Sequence, residues 1–235
     1  MNTLIVGTAD LRQALTAVRV HATTDRELAE FYRIRLTYDG THVSVTASDR
    51  FTVALAIVSV WESSADAGLV VELLPDDVAK MLSIFKVTGK ELGETPEYTV
   101  RFDVGDEHVT VTDCSGMIDG RALRVPRLAT DEALDIVPGI VHRAHSAQQA
   151  LLVDMTVSGD SLARFKVAGK AYGEPVAIEA RGKRTLLIRC GESFLGVMTP
   201  RRVSEDDVLK AKEWAEGWAA RLPEIVDTAE ASRTA

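Results

Sequence analysis

TLIVGTADLRQALTAV (residues 3–18) reads as a short apolar strand, a turn and an amphipathic helix, and the same pattern returns twice. The second copy is LVVELLPDDVAKMLSIF (69–85) and the third LLVDMTVSGDSLARFKVAG (151–169). Leu11, Ala14, Leu15 and Val18 lie at helical spacing, as do Val78, Met81, Leu82 and Phe85. The third copy keeps the phase at Leu162 and Phe165 and then loses it at Lys166 and Gly169. Thr8, Ser158 and the Pro75-Asp76-Asp77 run are helix starts, with negative charge at the positive end of each helix dipole.

Each helix is followed by strand signals. Phe31–Tyr38, a turn at Asp39-Gly40, His42–Ser48 and Thr52–Val60 form the first meander, with Ile34, Leu36 and Tyr38 alternating, and Val43, Val45 and Ala47 after them. The second is Tyr98–Val104, a Gly105-Asp106 turn, His108–Thr112 and Gly116–Arg124. The third is Pro175–Ala180, a turn at Arg181-Gly182-Lys183, Thr185–Cys190 and Phe194–Thr199. A strand, a helix and a three-strand meander repeated three times predict an α+β protein of side-by-side units rather than a parallel βαβ sheet.

The 235 residues are 46% hydrophobic, enough for a large core without staples. Cys114 and Cys190 are too few and too far apart for a disulfide framework. MNTLIVGTADLRQ has no basic leader region, and no apolar run reaches the length of a membrane span, so the expected setting is the reducing cytoplasm. A net charge of −8 argues against a plain nucleic-acid binder unless positive charge is concentrated locally.

The helices are where cations gather: Arg12 and Arg19 on the first, Lys80, Lys86 and Lys90 on or after the second, Arg164, Lys166 and Lys170 on the third. Two readings stand. Amphipathic helices show Lys and Arg to water in any case, or a row of helices faces a polyanion and binds its phosphates without sequence preference. The bend Ser48-Asp49-Arg50-Phe51, inside VSVTASDRFTVALAIV (43–58), likewise reads as a turn capped by Asp49 or as the lip of a pocket.

In their order along the chain, that bend, SGMIDGRALRVPRLATDEALDIVP (115–138) and FLGVMTPRRV (194–203) resemble the bacterial DNA polymerase III beta-subunit, or sliding-clamp, family. The resemblance covers residues 3–138 and, more loosely, 151–203. It implies a DNA-clamp-type fold and a non-catalytic clamp or processivity factor that encircles duplex DNA, forms a homo-oligomer and docks peptides of a DNA polymerase or clamp loader. Arg12, Arg19, Lys80, Lys86, Lys90, Arg164, Lys166 and Lys170 would face DNA. Phe31, Ser48, Arg50, Phe51, Val53, Pro138, Val197 and Thr199 would line a cleft for a partner peptide. The alternative is a clamp-derived interaction module that does not encircle DNA.

The expected domains are a complete clamp-like one over 1–125, a shortened one over 126–203 and a helical tail with a disordered end over 204–235. Residues 126–150 are too few for another strand, helix and meander. In the tail, Ser204 and Asp207 make a capping-box-like start, and Val208, Ala211, Ala215, Trp218 and Leu222 form a stripe with Trp214 beside it. That helix either packs on its own chain or docks in a neighbour's cleft.

Enzyme signatures are weak. Gly89-Lys90 and Gly169-Lys170 lack the rest of a phosphate loop, His142 and His145 have no further metal ligands in pattern, and Cys114 sits in a turn-like TDCSG. No cofactor, metal or catalytic residue is expected, and no membrane partner.

Overall fold

The computed structural model describes residues 2–87, 98–151, 155–182 and 184–234, with backbone alone for 227–234. One compact unit runs to Pro200, and a second is built on the residues from Arg201 together with Met155 and Thr156.

The first unit is a layer of antiparallel strands between helices. Strands β1 (Asn2–Gly7), β2 (Ile34–Tyr38), β3 (His42–Ser48), β4 (Thr52–Ser63), β5 (Val70–Leu73), β6 (Thr99–Val104), β7 (His108–Asp113) and β8 (Ala122–Pro126) run in the order β5-β2-β3-β4-β1-β6-β7-β8. Strands β9 (Val176–Arg181), β10 (Thr185–Cys190) and β11 (Phe194–Met198) form a meander that joins this sheet through β4. Twelve residues make β4 long enough to serve three neighbours. Along one side β3 pairs with Val53–Ser59. On the other, Thr52–Ala56 pair with β11, and the strand then passes to β1 with Val6 opposite Val60 and a register shift between Ile5 and Val6. The bulge lets one strand leave β11 and join β1.

Period-2 alternation assigns the faces. Thr52, Ala54, Ala56 and Val58 are buried on the side covered by α1 (Thr8–Arg19), while Val53 turns to the other. α1 buries Thr8, Leu11, Ala14, Leu15, Ala17 and Val18. It packs between α2 (Pro75–Ile84) and α4 (Gly159–Tyr172), so the three repeat helices stand in one row. Ser158 caps α4, its Oγ accepting from the Ser161 N–H at 3.3 Å. Thr8 is the first helical residue rather than a cap, the N-cap being Gly7 with no side-chain bond. Gly196 of β11 has no room for a side chain, because a Cβ there would stand 2.3 Å from the ring of Phe165 on α4.

Three expectations need correction. The strand predicted over 116–124 begins only at Ala122; Gly120 N–H bonds the Asp113 carbonyl and Asp119 pairs with Arg101 at 2.7 Å, so this polar stretch closes on itself as a loop. β2 begins at Ile34 rather than Phe31, whose N–H closes a turn on Leu28. The strand expected to open the third copy is not formed by Leu151 or Met155–Ser158; 152–154 lie outside the described residues, and α4 starts directly from its cap.

A helix not foreseen occupies the stretch between the second and third meanders. After the 3-10 turn Glu132–Leu134, α3 (Ile136–Ser146) lies on the face of the sheet opposite α4. Its Val137, Val141 and Ala144, with Leu134, pack on Val53 of β4, Leu187 of β10 and Val197 of β11. Val53 and Val197 are register partners, so α3 covers the seam where the third meander joins.

In the second unit, α5 (Glu205–Thr234) opens with a reciprocal capping box. Ser204 Oγ donates to Asp207 at 2.7 Å, and the Asp207 N–H returns a bond at 3.2 Å. Both the helix and its start match the sequence reading.

Gly196→Ala tests how tightly the third meander is docked through α4. Overpacking against Phe165 is expected to cost about 1–3 kcal/mol and to lower Tm by roughly 2–12 °C in a chain of this size. A Tm within about a degree of the parent in a thermal scan would contradict the packing described.

Candidate nucleic-acid interface and peptide cleft

The acid and base side by side at residues 49 and 50 have separate tasks. Asp49 Oδ1 accepts from the Phe51 N–H at 3.1 Å, the Thr52 N–H at 2.7 Å and the Thr52 hydroxyl at 2.9 Å. Ser48 Oγ accepts from the Arg50 N–H at 3.1 Å and donates to the Thr52 carbonyl at 3.1 Å. Arg50 sits at φ +76°, among the described residues the one non-glycine position with positive φ. The surrounding bonds over-determine that conformation.

The second Asp49 oxygen takes the guanidinium of Arg164 on α4, which also donates to Thr52 Oγ1 at 3.2 Å. His21, just beyond α1, meets the same hydroxyl through Nδ1 at 3.0 Å. Thr52 has one proton and gives it to Asp49, so His21 Nδ1 is the donor. His21 Nε2 is then unprotonated, buried and without a partner. Burial first, then the Arg164 charge, push the His21 pKa down to about 3 against an opposing effect of Asp49. Burial works to raise the Asp49 carboxyl, but the two Thr52 bonds, Arg164 and the Phe51 N–H together hold it below the usual range. This network joins α1, α4 and the β3–β4 bend.

The cations expected to face DNA divide into two kinds. Arg12 donates to the Leu82 and Phe85 carbonyls at the end of α2, and burial lowers its pKa. It caps that helix and ties it to α1. Arg19 is half-buried with Nε enclosed and unbonded, and Arg164 is held by Asp49. Lys80 is exposed, with its ammonium 2.8 Å from Asp77, which raises its pKa. Lys86, Lys166 and Lys170 are exposed; Lys90 lies outside the described residues. The helix row therefore presents lysines to solvent and keeps its arginines for the fold.

The residues named for a peptide cleft gather at the β4–β11 seam. Val53 and Val197 are buried there, Ser48 is buried in the bend, and Phe31 packs half-buried against the same apolar cluster, with the Arg50 guanidinium 5.8 Å from its ring centre. Phe51 is 67% exposed, and its carbonyl receives a long 3.5 Å bond from the Thr199 N–H. Pro138 and Thr199 are exposed, Pro138 on α3. Val53 and Val197 lie beneath α3, an arrangement the sequence reading did not anticipate. Leu134, Val137, Val141 and Ala144 carry the helical spacing that signals it.

The chain leading into α3 is pinned by charge. Glu72 of β5 is fully buried between Arg33 and Arg35, with Arg35 Nε at 2.7 Å. Arg35 continues to Asp135 and the Asp131 carbonyl, and Arg33 to the Ala129 carbonyl at 3.0 Å. His142 and His145 are both exposed on α3, and among the described residues no three His, Cys, Asp or Glu are placed to hold a metal. No helix among them is long and apolar enough to cross a membrane.

No protein-family model and no curated protein matches the sequence. Solved structures match by shape. The beta subunit of DNA polymerase III from Thermotoga maritima aligns over 87% of this chain and 65% of its own, with a TM-score of 0.63 at 12% identity. The DNA polymerase sliding clamp from Bacillus subtilis gives 0.56 at 11% identity over 86% and 64%. A sliding clamp from Pseudomonas aeruginosa, solved bound to griselimycin, gives 0.52 at 12% over 87% and 66%. This chain has the sliding-clamp fold. It spans just under two thirds of the length of these clamps. At such identity the likeness establishes fold, and the α+β expectation with it.

The buried histidine gives the clamp fold here a pH signature. Its folded pKa, about 3, lies below the ordinary value near 6.5, so between those limits the unfolded chain binds a proton that the folded chain refuses. The contribution is whole above pH 6.5 and is lost as pH falls toward 3. Stability should drop by about 2 kcal/mol between pH 7 and pH 5 on this account, and His21→Gln should remove most of that drop. Equal pH dependence of parent and variant urea midpoints would refute the assignment.

Proposed function

We propose that this protein is a DNA sliding clamp or clamp-like processivity factor, non-catalytic, that holds duplex DNA without reading its sequence and docks peptides of a polymerase or clamp loader. The observation that carries the reading is the row α2–α1–α4 on one face of a continuous antiparallel sheet, in a fold shared with solved clamps. Lys80, Lys86, Lys166 and Lys170 are exposed on or next to that row in a chain of net charge −8, alongside exposed Asp10, Asp76 and Asp160 in the first turns of the same helices. Contacts of flexible lysines with phosphates are weak and sequence-blind, as sliding requires. Lys90 belongs to the same reading by its place in the sequence.

One chain has three repeat units, so encirclement needs several copies. Among the described residues, β5 and β8 end the eight-strand path and β9 ends the branch; Leu128 already bonds Glu72 on β5 and Ala150 bonds Ala180 on β9, and what remains of these edges can pair between copies. The peptide cleft in this reading is the seam at Phe31, Ser48, Arg50, Phe51, Val53, Pro138, Val197 and Thr199. One observation favours the second reading, a clamp-derived interaction module that does not encircle DNA: α3 already lies over Val53 and Val197.

Replacing Lys80, Lys86, Lys166 and Lys170 by Glu together tests the first reading. The parent should be retained on nicked circular DNA and lost when that DNA is linearised. The variant should lose retention on circles while its Tm stays within a few degrees, since these side chains are exposed. A parent that is monomeric in solution and indifferent to DNA topology would move the assignment to the interaction module.

A further inference from the structure

α5 carries an apolar seam of a different kind from the other helices. Val208, Ala211, Ala215, Trp218, Leu222 and Ile225 follow one another at intervals of three, four, three, four and three. That is a heptad repeat, two positions in seven, with the 3.5-residue period of a helix facing another helix. Leu209, Trp214 and Val226, adjacent to core positions and also exposed, widen the stripe at its edges. The seam of α5 is open: Val208, Trp218, Leu222 and Ile225 are all about half exposed. An apolar stripe of this length left facing water forgoes its hydrophobic gain, so the seam calls for a partner.

We propose that α5 is a dimerisation helix that pairs, parallel and in register, with α5 of a second copy of this chain. With Val208, Ala215 and Leu222 as the first core position and Ala211, Trp218 and Ile225 as the second, Asp207 and Lys212 flank the seam on opposite sides. They are five residues apart, the separation at which the flanking residue of one helix meets that of its parallel partner. The in-register pair therefore forms two Asp207–Lys212 contacts, one on each side. An antiparallel pair that sets Ala215 against Trp218 faces like flanks, Lys212 toward Ala219 and Trp214 toward Arg221, and forms no such ion pair. Self-complementary charge selects a second copy over an unrelated helix. The small Ala211 and Ala215 leave space beside Trp218. Pro223 falls next to Leu222 on the solvent side, outside the seam.

The arrangement is isologous and uses no sheet edge, so it does not depend on whether the chain encircles DNA. Its test uses the full-length protein with Cys114→Ser, Cys190 being buried. A parallel dimer brings residue 215 of both copies together across the axis. Ala215→Cys should therefore give a covalent dimer under mild oxidation at micromolar concentration. Ala220→Cys, on the far side of the helix, should stay monomeric on a denaturing gel. Adding Trp218→Glu should abolish the Ala215→Cys dimer, and adding the four lysine-to-glutamate changes should leave it intact. Failure of a folded Ala215→Cys protein to cross-link, or equal cross-linking at 220, would overturn the proposal.

Discussion

The pairing of Thr52–Ala56 with β11 is the constraint on which the rest of the first unit depends. It is one short antiparallel ladder, and it alone makes the third meander continuous with the eight-strand path. Backbone hydrogen bonds in such a ladder do not by themselves choose a register. Here the register is set from both faces. On one, Phe165 occupies the space over Gly196 and Arg164 reaches Asp49; on the other, Val53 and Val197 meet under α3. A slip by one residue would place Val197 against Phe165 and leave Arg164 without its carboxylate. The polar network in the bend and the apolar cluster beneath α3 thus act on the same ladder from opposite sides.

The chain uses its two cation types differently. Arg12, Arg33, Arg35 and Arg164 each bridge elements far apart in sequence, most through two or more bonds of the planar guanidinium, in sites that are buried or half-buried. The lysines on the helix row remain exposed. A guanidinium tolerates partial desolvation and offers a fixed fork of donors, whereas an ammonium is strongly hydrated and resists burial. An acidic protein that approaches a polyanion needs cations that are free, so counting positive residues on the helices overstates what they offer. With Lys80 already paired to Asp77, the relevant set among the described residues is Lys86, Lys166 and Lys170.

How far the sequence could be read follows from which elements are locally specified. α1, α2, β3 and the β9–β10 hairpin were legible because a single period, 3.6 or 2, governs each of them and turn residues mark their ends. β8 was misplaced because residues 116–121 read as a strand only until Asp119 and Asp113 are seen to close the loop on Arg101 and Gly120. α3 was missed for a different reason. Its spacing is helical, but the segment was weighed as a would-be unit too short to form, not as a single helix. The bend at residues 48–51 was legible as a turn between two strands. The turn-capping role of Asp49 was one of the two readings of the bend; its pairing with Arg164, 115 residues away, and the meeting of Thr52 with His21, 31 residues away, were not legible.

α3 shows how a single short helix can close the face of the sheet over the β4–β11 seam. The outer face of the seam exposes Val53, Leu187 and Val197 unless something lies on it, and burying side chains of that size is worth about 1.5–3 kcal/mol each. Eleven residues suffice because only one helical stripe is needed to cover one seam. The stripe must still be held at the right place, and an isolated helix of this length would not hold itself. Arg33, Arg35 and Glu72 supply the anchor by gripping Ala129, Asp131 and Asp135 just before the helix begins. A buried carboxylate flanked by two guanidiniums is a poor source of net stability, yet removing any member leaves a charge unmatched. The group is better understood as fixing where the strap crosses the sheet. Any peptide that docks at this seam therefore has two routes: to ride on the exposed rim at Phe51 and Pro138, or to displace a helix whose leading end stays tied down.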